Sequence, residues 1–84
     1  GFEANNELEF SIFPNPTTDF LTVQFANSEN TIVRVIDMKG SEHALFVSEG
    51  KSSMLLDLSK LENGVYIIQV ITETKLSSKQ IVIH

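Results

Sequence analysis

The chain has 84 residues, 42% of them apolar, with 11 acidic residues, 6 basic ones and no cysteine. That length allows one domain with a small core; burying only roughly 60–65% of the unfolded surface leaves modest stability and little room for a deep substrate cavity. The net charge of −5 opposes nucleic-acid binding, and the missing cysteines exclude disulfides, zinc knuckles and thiolate chemistry.

Residues 1–7 are polar and read as the end of a linker from an upstream domain, with one domain over 8–84. The opening Gly1–Phe10 is not a signal peptide, and no apolar run reaches the length of a membrane span, so no membrane insertion of its own is expected. A first strand is expected near 8–13, stopped by Pro14-Asn15-Pro16. The two prolines lack N–H donors and Pro16 holds Asn15 extended, which makes a stiff, non-pairing corner that also blunts edge pairing of the apolar run before it. A second strand follows near 20–26, where Leu21, Val23 and Phe25 alternate with Thr22 and Gln24. A third, near 31–37, places Val33 and Val35 around Arg34, and Met38-Lys39-Gly40 ends it. Strands four and five are expected near 42–48 and 52–58, with Glu49-Gly50-Lys51 between them and Leu56 and Leu58 flanking Asp57. Asp57–Asn63 is the one stretch read as a single helical turn. Strand six, near 64–72, sets Tyr66, Ile68 and Val70 on one face and Gln69 on the other; strand seven, near 75–83, sets Ile81 and Ile83 against Gln80, Val82 and His84.

Period-two alternation places one face of each strand on a core. Val, Ile, Thr, Phe and Tyr make up a third of the chain, which suits pleated surfaces. Seven short strands with turn signals every ten or so residues predict an all-β, seven-stranded immunoglobulin-like antiparallel β-sandwich without the Cys…Trp…Cys core of antibody domains. Its core should include Leu21, Val23, Val33, Val35, Leu56, Leu58, Tyr66, Ile68 and Val70.

Catalysis has little to work with. The histidines are His43 and His84, and no nucleophile elbow or oxyanion loop accompanies either, so His43 reads as an exposed strand residue. The acids are dispersed and form no calcium loop. Asp37-Met38-Lys39-Gly40 has the outline of a phosphate motif but no P-loop precedes it; Asp37 is better placed to accept turn amides, with Gly40 taking a positive φ. Asn15-Pro16-Thr17 is not a glycosylation acceptor, because proline fills the middle position. No cofactor and no metal is expected. Charge is uneven: residues 1–73 hold all 11 acids and 4 bases, whereas residues 74–84 hold only Lys75 and Lys79. These lysines either guard an edge strand or mark what a partner reads.

Three segments together resemble the C-terminal sorting domains of type IX secretion. Phe13-Pro14-Asn15-Pro16 with Phe20-Leu21-Thr22-Val23 resembles the family's opening motif, with Phe13 where tyrosine is usual. Val33-Arg34-Val35-Ile36-Asp37-Met38-Lys39-Gly40 resembles its middle segment, and Leu56 to Val70, through Leu61, Gly64 and Tyr66, its third. A lysine-bearing strand, Lys75 to Ile83, then closes the chain, as in the family; the final His84 departs from the charged residue, often lysine, that ends many members. The resemblance implies a non-enzymatic domain at the end of an exported Bacteroidetes-type protein. It would direct the upstream cargo from the periplasm through the outer-membrane translocon and its shuttle components to the cell surface or medium, and a sortase-like surface peptidase would remove it. A folded signal must present a surface, and a sheet edge offers unpaired backbone groups. Lys75, Lys79, Gln80, Ile83 and His84 are therefore the expected recognition residues, and Asp37–Gly40 and Glu62–Gly64 the expected fold-forming turns. The alternative is a generic immunoglobulin- or fibronectin-like adhesion or spacer module; a sugar-binding module is less well supported, since there is no Trp and the single Tyr falls on the core face.

Overall fold

The structure, a computed structural model, describes residues 9–26 and 30–84. The linker expected over residues 1–7 lies outside them. Seven strands follow in chain order: β1 (Phe10–Phe13), β2 (Phe20–Phe25), β3 (Ile32–Asp37), β4 (Glu42–Val47), β5 (Ser53–Asp57), β6 (Gly64–Ile71) and β7 (Leu76–Ile83). They form two antiparallel sheets, one of order β1-β2-β5 and the other of order β4-β3-β6-β7.

Alternation sets the sides. Leu21, Val23 and Phe25 of β2 join Phe10, Leu56 and Leu58 from their own sheet; Val33, Val35, Tyr66, Ile68, Val70, Ile81 and Ile83 come from the other, and all belong to one buried cluster. The two sheets thus share a single core, and every residue expected in it from the period-two pattern is buried there. Ile12, Ala44, Phe46, Met54 and Leu61 pack around its margin. Each fully buried Leu, Ile or Val contributes about 1.5–3 kcal/mol relative to exposure, so this cluster is the main apolar stabilisation of the fold.

The turns use the chemistry of their residues. Asp37 accepts the N–H groups of Lys39 and Ser41 through Oδ1 at 2.8 and 3.0 Å, and Gly40 takes φ +92°. The stretch after β5 is not helical, and no helix occurs among the described residues. Leu61 N–H instead donates to the Leu58 carbonyl at 3.0 Å, closing a β-turn, while Asp57 Oδ1 accepts from Ser59 N–H and Oγ–H at 3.0 and 2.6 Å. One turn cannot repay helix nucleation, and the aspartate offers the backbone a competing bond. The register of β4 on β3 shifts between Val35 and Ile36, which pair with Ala44 and Glu42 and leave His43 as the extra residue of a bulge.

The proline corner behaves differently from the expected non-pairing stop. Both Phe13-Pro14 and Asn15-Pro16 peptide bonds are cis. Neither proline joins a ladder, but the residues beside them dock on β7. Thr17 forms a parallel bridge with Ile83, its N–H donating to the Val82 carbonyl and its carbonyl accepting from His84 N–H, both at 2.9 Å. The amide side chain of Asn15 imitates a peptide unit, donating from Nδ2 to the Gln80 carbonyl and accepting Val82 N–H at Oδ1, both at 3.2 Å.

Candidate recognition surface

Strand β7 is an outer strand of its sheet, and alternation splits the expected recognition residues between its two sides. Lys79 shares the side of Ile81 and Ile83 and stands level with Ile68 and Val35 in the cross-strand row. There the core opens to solvent, and Lys79 Nζ lies 5.3 Å from the centroid of the Phe10 ring. A cation over an aromatic face at such a site contributes about 0.5–1 kcal/mol. Gln80 and His84 point to the opposite, outer side and are exposed. Ile83 is only 2% exposed and its side chain belongs to the core, so it supports the strand without presenting a surface.

Lys75 precedes β7 in the turn from β6. Its carbonyl accepts from Thr72 N–H at 2.9 Å, and its own N–H donates to Thr72 Oγ1 at 3.0 Å. About 13 Å of extended strand separates residues 75 and 79. The positive charge of the last segment is therefore two separate points, Lys79 in the seam between the sheets and Lys75 beside Arg34, Gln69 and Leu76 in a shallow groove.

The edge of β7 is unequal along its length. Gln80 O, Val82 N and O, and His84 N point away from β6 and are all taken by Asn15 and Thr17. The antiparallel alternation turns the N–H and C=O of Ser78 and the N–H of Gln80 to the same side, and they bond no group among the described residues. Beside them, Ser77 and Lys79 line a groove of about 540 Å³ between β7 and β1, with Glu9, Phe10, Ser11 and Phe25 among the other lining residues.

The motif residues Asp37 and Tyr66 fix turns. Asp37 Oδ2 lies 2.9 Å from Nε2 of His43. That hydrogen bond first, then those from the Ser41 and Lys39 amides, hold the Asp37 carboxyl down at about 2 against an ordinary 3.8. His43 stands edge-on to Tyr66, with ring centroids 5.5 Å apart. Tyr66 in turn donates from its hydroxyl to the Glu62 carbonyl at 2.7 Å, pinning the turn that Asn63 and Gly64 complete. Asp57 is likewise held below its ordinary value, chiefly by the Ser59 hydroxyl. Among the described residues no three His, Asp or Glu side chains gather to hold a metal.

Alternation around the core said nothing of the opposite faces. On the outer side of the larger sheet, Val47, Ile32, Ile71 and Leu76 align as one aliphatic row across all four strands. Leu45, Val47 and Leu76 are 53–55% exposed. Ile36, Ile67, Val65 and Val82 extend the patch, and Arg34 crosses it, bonded to Glu42 Oε1 at 2.7 Å and Gln69 Oε1 at 2.9 Å. The near-continuous apolar run Val65–Ile71 is the signal that could have revealed it, because a strand with one wet face should alternate. On the smaller sheet Phe13 and Phe20 are half-exposed, and Leu55, across Thr22 from Phe13, is more exposed still.

The chain is thus a two-sheet domain with a half-open backbone edge and apolar outer faces. The model of the secretion system C-terminal sorting domain matches residues 11–84, and the chain belongs to that family. The motifs in the sequence pointed to the same type IX secretion sorting domain, which implies an exported protein and interaction with that secretion system. No curated protein sequence matches the chain.

Proposed function

We propose that residues 8–84 direct an attached upstream cargo across the outer membrane through the type IX system, with residues 1–7 as the end of the connecting linker. In this reading the domain passes through the periplasm folded, is gripped by the translocon and its shuttle components, and is removed at the surface by a sortase-like peptidase, leaving cargo at the cell surface or in the medium. It has no catalytic role of its own. Family membership across residues 11–84 is the observation that carries the reading. The half-open edge of β7 supports it, since exposed backbone groups are what a partner strand pairs with. Lys79 and Gln80 are the side chains beside that edge, with Lys75 in the preceding turn and His84 at the latched end completing the recognition residues of this reading.

The architecture we infer is immunoglobulin-like. With β1 to β7 taken as strands A, B, C, C′, E, F and G, the sheets are A-B-E and C′-C-F-G. Tyr66 near the start of β6, bonded to a carbonyl four residues upstream, supports this as a tyrosine corner.

The test fuses residues 1–84 behind a fluorescent cargo carrying a Sec signal, in a type IX-competent bacterium and in a strain without the translocon. Cargo should reach the outside only in the competent strain. Periplasmic retention in both, with the domain folded, would sink the sorting reading.

A further inference from the structure

The last strand presents a single edge of two kinds. Its C-terminal half already holds a strand-like guest, because Asn15 and Thr17 supply the donors and acceptors that a neighbouring strand would supply. The guest is parallel to β7 and stops at the Gln80 carbonyl. Beyond that point β1 leaves β7 and pairs instead with β2, from Phe10↔Phe25 to Phe13↔Thr22. The edge therefore continues, with its backbone groups unoccupied by described residues, alongside the groove that Ser77 and Lys79 line with β1.

Resting on the sorting reading above, we propose that this open half, Leu76–Gln80, is where the secretion partner adds an extended strand, carrying a carboxylate opposite Lys79. Several observations converge on a strand as the occupant. The outward groups of Ser78 and Gln80 are a donor, an acceptor and a donor in ladder order. The site is continuous with the intramolecular bridge made by Thr17, so the edge geometry for strand addition is already present in the fold. The segment from 76 to 80 spans about 13 Å, enough for a short ladder. Lys79 sets the charge: it projects into the groove, and segment 74–84 has no acid to pair with it. Glu9 at the opposite wall restricts the favourable carboxylate position to the Lys79 side. The latch sets the boundary. With Asn15 in place, the added strand cannot reach Val82.

Proline at residue 78 removes an outward N–H without removing a bond to β6, because Ser77 and Lys79, not Ser78, have the parity that faces β6. Ser78→Pro and Ser78→Ala are made in the cargo fusion, with thermal unfolding measured on each purified fusion. If the wild-type fusion itself is not exported, the sorting reading has failed and not this one. With the wild type exported, Ser78→Ala should export normally, and folded Ser78→Pro should lose export by about ten-fold or more, the effect of ~1.4 kcal/mol. Normal export of folded Ser78→Pro overturns strand addition, as does an equal loss in Ser78→Ala, which would make the side chain the feature read. If Ser78→Pro does not fold, Lys79→Glu decides, since the residue is exposed: reduced export upholds the proposal and unchanged export overturns it.

Discussion

Asp37 and His43 face each other across the turn between β3 and β4, with Oδ2 and Nε2 2.9 Å apart. The contact joins the end of one strand to the bulge in the next and leaves His43 standing against Tyr66. Because the folded state holds the Asp37 carboxyl at about 2, below its ordinary 3.8, the folded state binds that proton less readily than the unfolded chain. The resulting stability is fully present above about 4 and is lost as pH falls toward 2. Asp37→Asn should unfold more easily than wild type near neutrality, and the gap between the two should narrow as pH falls through that window. Urea midpoints measured at several pH values check it; a gap constant down to pH 2 would contradict the assignment.

Tyr66 serves the core with its ring and the turn with its hydroxyl. Tyr66→Phe keeps the ring and deletes the 2.7 Å bond to the Glu62 carbonyl. The expected cost is about 1 kcal/mol, whereas Tyr66→Ala should cost about 3–5 kcal/mol and leave little folded domain. Chemical denaturation of both variants separates the two roles.

Asn15 is exposed, yet its side chain makes two bonds to a strand more than sixty residues away in sequence. Asn15→Ala should cost about 1–2 kcal/mol, two hydrogen bonds of ordinary net value. Asn15→Asp keeps the acceptor for Val82 but points a carboxylate oxygen at the Gln80 carbonyl, so it should lose at least as much. Amide exchange at Val82 and His84 should accelerate in both variants, which distinguishes local opening of the latch from general destabilisation.

Gly40 has φ +92° with no atom within 4 Å of where a Cβ would stand. Gly40→Ala therefore meets no clash, and its cost of about 1–2 kcal/mol is backbone strain alone. Gly40→Asn should recover part of that loss, because asparagine tolerates left-handed backbone better. Equal melting temperatures for the glycine and alanine forms would show that the turn adopts another conformation.

The strands were legible because the period of two marks β2, β3, β5, β6 and β7, and the turn residues Asp37, Gly40, Asn63 and Gly64 sit at strand ends. Leu21 and Val23, or Ile68 and Val70, leave little choice of face. What the pattern could not supply was the long-range pairing of short polar side chains. Nothing local in Pro14-Asn15-Pro16 tells that Asn15 meets Gln80, since that contact depends on β1 and β7 lying side by side on different sheets. For the same reason the two C-terminal lysines looked like one patch. Alternation places Lys79 on the core side, and the turn geometry at Thr72 carries Lys75 away from it. The aliphatic outer row is hidden for a different reason: Ile67 and Ile71 lie in a strand whose place is already accounted for by Tyr66, Ile68 and Val70 on its core face.

The parallel contact of Thr17 with Ile83 also decides how the domain bears tension. A pull on the chain ahead of β1 and an opposite pull on His84 draw the two parallel segments past each other lengthwise. The four bonds made by Asn15 and Thr17 then resist together in shear, where an antiparallel hairpin pulled from its open end would unzip one bond at a time. A domain pulled at its two ends is held at its last strand by bonds loaded side by side.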